Sequence, residues 1–111
     1  MPRWKLVITD AAKSELIELP TDMQGRFLHV GDMLESLGPE RVREPHVRPL
    51  EKKLWEMRFR GKDGIARAIY FAASGRQLVV VRAFVKKTQK TPRREIDLAH
   101  ARMKEFLENG D

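Results

Sequence analysis

Apolar residues along this chain recur with two different spacings, and the change between them divides the sequence. From Trp4 to Thr9, Trp4, Leu6 and Ile8 alternate with Lys5, Val7 and Thr9, the period of a strand. Asp10 then offers a cap to a short helix carrying Ala12, Leu16 and Leu19 on one side, and Pro20 stops it. Thr21-Asp22-Met23-Gln24 has the form of a capping box. After it, Met23, Phe27, Val30, Leu34 and Leu37 recur every three or four residues, the stripe of a second helix that ends at Gly38-Pro39. Two helices joined by so short a turn predict an antiparallel hairpin lying on a sheet.

Residues 39–50 read as a loop, with Pro39, Pro45, Pro49 and three arginines. Beyond them the period becomes two. Trp55, Met57 and Phe59 alternate with Leu54, Glu56 and Arg58 in one strand. Gly61-Lys62-Asp63-Gly64 is hairpin-turn chemistry, Ile65 to Ala73 makes the next strand, and Ser74-Gly75-Arg76 turns into a third from Gln77 to Lys87. A last helix starts at Thr91 with Pro92 in its first turn, where a missing N–H costs nothing, and carries Ile96, Ala99, Met103 and Phe106 inward before Gly110. The predicted order is β-α-α-β-β-β-α, an α+β fold with a small, mostly antiparallel sheet. At 111 residues, 1–111 reads as a single domain, and no repeat or low-complexity segment interrupts it.

Composition narrows the chemistry. Hydrophobic content of 41% with 34% charged residues describes a globular chain. The absence of cysteine excludes disulfides, thiolate metal sites and cysteine nucleophiles. No apolar run is long enough for a membrane span and the apolar stretch at the N-terminus is too short for a signal peptide, so a cytoplasmic protein without membrane contact is expected. His29, His46 and His100 are far apart, and no His/Asp/Glu cluster has ligand spacing, so no metal or other cofactor is expected. His46, in the proline-rich loop, is the histidine considered for acid–base work.

The net charge of +6 is concentrated. Residues 82–94 hold Arg82, Lys86, Lys87, Lys90, Arg93 and Arg94 and no acidic residue. They begin on a strand and run into a helix start, so the cations form a fixed array suited to a polyanion, with RNA the first candidate. Arg58 and Arg67 lie on neighbouring strands, and Lys52 and Lys53 precede the first of these. A solvated basic sheet face is the equally weighted bland alternative. Arg67 shares parity with Ile65, Ile69 and Phe71, and Arg82 with Leu78, Val80 and Phe84. An arginine among apolar residues needs a partner or a groove, and an ion pair to Glu56 would satisfy Arg67. Strict alternation places Tyr70 on the face opposite Arg67 unless a bulge re-aims one of them. RNA cleavage needs no metal here: the ribose 2′-OH attacks its own phosphate if cations stabilise the phosphorane and a lysine or tyrosine moves a proton.

Three segments carry a resemblance: Leu54-Trp55-Glu56-Met57-Arg58, Ala66-Arg67-Ala68-Ile69-Tyr70, and Phe84-Val85-Lys86-Lys87-Thr88-Gln89-Lys90-Thr91-Pro92. Together with the element order, they make the whole chain resemble the RelE/ParE toxin superfamily, nearest its phage-derived, HigB-like branch. The resemblance implies the toxin of a bacterial type II toxin–antitoxin pair, an endoribonuclease that cuts translated mRNA at the ribosome and is held inactive by a cognate helix-turn-helix antitoxin. It implies catalytic roles for Arg58, Arg67, Tyr70, Lys86 and Lys87. RNA-binding positions would be Lys52, Lys53, Arg82, Lys90, Arg93 and Arg94. Some relatives place a tyrosine or histidine near the C-terminus; this chain has no such tyrosine, and only His100 in that region. A ParE-like inhibitor of DNA gyrase and a non-catalytic module binding nucleic acid or antitoxin remain alternatives, because fold does not decide function.

Overall fold

The apolar, β-branched run of residues 77–85 lies inside a five-stranded sheet and is covered on both faces. In the computed structural model, which describes residues 3–110, the elements are β1 (Lys5–Ile8), α1 (Asp10–Ile17), α2 (Thr21–Leu37), β2 (Val47–Glu51), β3 (Leu54–Gly61), β4 (Gly64–Ala73), β5 (Gln77–Val85) and α3 (Arg93–Asn109). The strand order is β1-β5-β4-β3-β2. β1 pairs parallel to β5, and every other pairing is antiparallel. Among the described residues, no helix is long and apolar enough to cross a membrane.

Helices cover the sheet from opposite sides. Leu16, Met23, Phe27, Val30 and Leu34 of the α1–α2 hairpin pack on Met57, Phe59, Ala68, Tyr70, Leu78 and Val80. Phe27 meets Phe59 edge to face at 5.6 Å between ring centroids. On the other side, Ile96, Ala99, Met103 and Phe106 of α3 cover Leu54, Ile69, Phe71, Val79 and Val81.

Several sequence expectations need correction. The presumed loop of residues 39–50 ends in a strand, β2, which adds a fourth member to the antiparallel group. Pro49 is compatible with it because β2 is an edge strand, whose outward N–H has no ladder partner to lose. The capping box does not form. Thr21 is already helical and follows Pro20 as N-cap, while Asp22 accepts the backbone N–H of Lys62 at 2.7 Å and Gln24 donates to the carbonyls of Ile17 and Leu19. Tertiary partners outcompete the local motif. Thr9 rather than Asp10 caps α1, accepting from Ala12 N–H. α3 begins at Arg93 with Pro92 as its N-cap, leaving Thr91 outside the helix.

A β-bulge also resets side-chain parity. Ile69 pairs with Arg82 and Tyr70 with Val80, so Val81 is the extra residue on β5. Leu78 and Val80 therefore face the helical hairpin, whereas Phe84 packs on the α3 side, with the Arg82 guanidinium 5.3 Å from its ring centroid. The expected common face of Arg82 with Leu78 and Val80 is broken by this insertion. Arg67 and Tyr70 keep opposite faces, as alternation requires.

Candidate nucleic-acid interface

The site is organised around a buried charge cluster on the α3 side of the sheet. Glu56 of β3 is fully buried and Arg67 of β4 is 1% exposed. Arg67 Nη1 donates to Glu56 Oε2 at 3.2 Å, and Arg48 Nε donates to Glu56 Oε1 at 3.2 Å. The hydroxyl of buried Thr91 bonds both Arg67 and Glu56, and Arg67 Nη2 donates to the carbonyl of Gln89 at 2.7 Å. Such a pair persists in a low-dielectric interior only because its hydrogen-bonding groups are nearly all occupied. Arg67 Nε is the exception, buried without a partner. Burial presses the Arg67 guanidinium below its ordinary pKa, against the opposing pull of Glu56.

This cluster clamps the segment after β5. Lys86 N–H donates to the Ile65 carbonyl at 2.7 Å, Gln89 is held by Arg67, and Thr91 by both buried charges. The chain between these points presents Lys87 and Lys90 to solvent, with Lys86 half-buried beside the sheet. Partial burial, then the nearby Arg67, Arg58 and Arg48, lowers the Lys86 ammonium pKa. Lys86, Lys87 and Lys90 edge a cleft of about 450 Å³ together with Arg67, Arg82 and Arg94.

The other predicted positions divide. Arg58 is half-buried, pairs with Arg67 across β3–β4, and has its Nε buried with no partner. His46 is brought to it: the His46 carbonyl accepts Arg58 N–H at 2.7 Å, and both side chains line a second cleft. Arg94 is exposed beside Glu95. Arg82 is drawn inward instead, bonded to Glu95 at 2.6 Å and to Glu15 at 2.7 Å, and the Glu95 bond raises its pKa. Arg93 pairs with Glu51 and Asp97. Lys52 and Lys53 lie in the β2–β3 turn, at the end of β3 remote from the Gly61–Gly64 turn, next to Arg93's partner Glu51. Arg58 lies five residue steps along the strand from Lys53, roughly 17 Å. Tyr70 is 1% exposed within the hairpin core, across the sheet from Arg67, with its hydroxyl unpartnered and its pKa pushed up by burial.

Sequence reasoning missed Arg48, Thr91 and Gln89 as members of the clamp, and Arg26 and Arg60 as lining residues of the second cleft. Arg48 would have been visible had β2 been read as a strand, since it sits directly across from Glu56.

Residues 14–104 match the family described as phage-derived protein Gp49-like. The chain belongs to the Gp49-like family. No curated protein sequence matches it. Among solved structures it is similar to the RelBE2 toxin–antitoxin complex of Mycobacterium tuberculosis, at 17% identity and TM-score 0.57, covering 76% of this chain and 99% of that one. It is also similar to the archaeal RelE–RelB complex of Pyrococcus horikoshii OT3, at 26% identity and TM-score 0.57, covering 77% and 96%. This Gp49-like protein thus has the RelE-like α+β fold and falls in the RelE-like toxin superfamily.

Proposed function

We propose that this Gp49-like protein is the toxin of a HigB-like type II toxin–antitoxin pair, a metal-independent endoribonuclease cutting translated mRNA at the ribosome. In this reading a cognate helix-turn-helix antitoxin holds it inactive in the cytoplasm. Both similar structures are toxin–antitoxin complexes, which supports an antitoxin partner. The observation that carries the reading is the clamped segment. Lys86, Lys87, Lys90 and the neighbouring Arg58 have no ion-pair partner among the described residues, while Arg48, Arg67, Arg82 and Arg93 do.

Roles follow from environment. Arg58, with an orphaned Nε beside the cluster, stabilises charge on the phosphorane formed when the 2′-OH attacks. Lys86, its pKa lowered, is suited to exchange a proton with the 2′-oxygen or the leaving 5′-oxygen. Lys87 and Lys90 hold flanking phosphates, and His46 is the second proton-transfer group. Arg67 acts through the clamp as a positioning residue, because its terminal nitrogens are committed to Glu56, Thr91 and Gln89.

The test is induction of the protein followed by mapping of new mRNA 5′ ends, alongside Arg58→Ala, Lys86→Ala and Lys87→Ala. Cuts within translated codons that disappear in the variants are expected. Growth arrest with intact mRNA and inhibited supercoiling would overturn the reading in favour of gyrase inhibition. Absence of any toxicity would overturn it in favour of a binding module.

A further inference from the structure

β2 begins at Val47, opposite Met57, so beyond Arg58 the outer edge of β3 has no strand beside it. α2 overhangs that edge and leaves a cleft of about 190 Å³. Its rim carries Arg26 from α2, Arg58 and Arg60 from β3, and His46. Its apolar lining includes Val30, Phe59, Pro45 and Ile65. No acidic residue lines it, and none of the three arginines has an ion-pair partner among the described residues. Arg58, whose Nε is buried without a partner among the described residues, borders the cleft on the side of the lysine segment.

The cleft is continuous with the lysine segment. Arg60 and Ile65 also line a groove with Lys86, Lys87 and Thr88, which in turn share the cleft of Lys90 and Arg94. The cations thus form a track from α2, around the open end of β3–β4, to the start of α3. Cations beside an apolar wall fit one nucleotide unit, with phosphate on the arginines and the base against the wall. Free phosphate would leave the apolar half empty.

We infer that the cleft rimmed by Arg26 and Arg60, next to Arg58 and His46, is a subsite for a nucleotide flanking the phosphodiester held at Arg58 and Lys86, so that RNA is gripped on both sides of the reactive bond. This rests on the RNA reading above and adds a site that the lysine segment does not supply.

The experiment compares affinities of end-labelled, 2′-O-methyl oligoribonucleotides, which cannot be cut, in a length series from trinucleotide to octanucleotide. In the wild type, affinity rises as the strand grows long enough to reach the cleft. Arg26→Ser and Arg60→Ser change exposed side chains and should leave the melting temperature in place. Each is expected to erase most of the length-dependent gain, roughly five- to tenfold. Each should also lower the salt slope for the long strand by about 0.7, one phosphate's worth. Lys87→Ala should weaken long and short strands together and preserve their ratio. If Lys87→Ala weakens binding but the ratio ignores Arg26 and Arg60, the subsite is overturned while the RNA reading stands. If the wild type binds no RNA, both fall. If Arg26→Ser weakens a glutamate-rich peptide and leaves RNA untouched, the cleft is a peptide site and the inference is overturned.

Discussion

The two faces of the sheet solve the burial problem differently. The hairpin face is apolar across its breadth, from Leu16 and Met23 through Phe27 to Val30 and Leu34, and among the described residues its one unpartnered buried polar atom is the Tyr70 hydroxyl. The α3 face is apolar only where Ala99, Met103 and Phe106 cover it; beside that patch lie Glu56 and Arg67, held by Arg48 and Thr91. Apolar packing is indifferent to the exact direction of its members, whereas a hydrogen-bonded charge pair fixes positions to a few tenths of an ångström. The difference suggests a division of labour. One face holds the domain together, and the other fixes where its cations stand.

The strongest way to break that contrast is Glu56→Ala, which leaves the Arg67 charge buried and unpaired at a cost of about 3–5 kcal/mol. Both the unfolding midpoint in urea and the RNA affinity of the molecules that remain folded should fall. Phe27→Ala should cost a similar amount, about 3–5 kcal/mol, through a cavity. There the folded fraction should keep its RNA affinity, measured under conditions where refolding is complete. Equal loss of affinity in both variants would erase the distinction between the faces.

Thr91→Val is gentler, about 1–2 kcal/mol, because it removes a hydroxyl shared by both buried charges. Amide exchange between Lys87 and Lys90 should accelerate more than exchange in the α2 core. Tyr70→Phe should change stability by less than about 1 kcal/mol, since the deleted hydroxyl has no partner. The RNA cleavage proposed above should survive it, and its loss would return Tyr70 to the site.

The smallest effect concerns the end of the clamp. Hydrogen bonds from Arg93, then His100, hold the Glu51 carboxyl at about 2, down from an ordinary 4.5. Its pKa is depressed by folding, so its contribution is complete above about 4.5 and is lost as pH falls toward about 2. A carboxyl-carbon NMR titration should show that low midpoint, and Arg93→Ala should move it upward.

Periodicity in the sequence was enough for the helices and for β3 to β5, because each buries a long regular stripe. β2 escaped it: five residues containing Arg48 and Pro49 carry no stripe, and their strand state comes from pairing with β3. The clamp was half legible. Arg67 among isoleucines demanded a partner and Glu56 was the nearest in register terms, but Thr91 was taken for part of a helix. Arg82 called for a partner, but Glu15 and Glu95 come from helices remote in sequence. Arg93 looked like a binding cation although Asp97, four residues on, and the remote Glu51 both take it. Arg26 and Arg60 had no signal at all; each is a lone exposed arginine until α2 is laid across the β3 edge.

The clamp also sets an order of events. Thr91 closes on Glu56 across 35 residues of chain and bonds Arg67 as well. While the chain is being made, strands β1 to β5 can pair and the hairpin can pack before that residue arrives. The lysines at 86–90 would then be held only by Lys86 N–H on Ile65 and by Arg67 on Gln89. The cationic segment is therefore fixed in full only after the sheet can pair, with α3 packing later still, which leaves an interval in synthesis when the sheet exists and its cationic edge is not yet set.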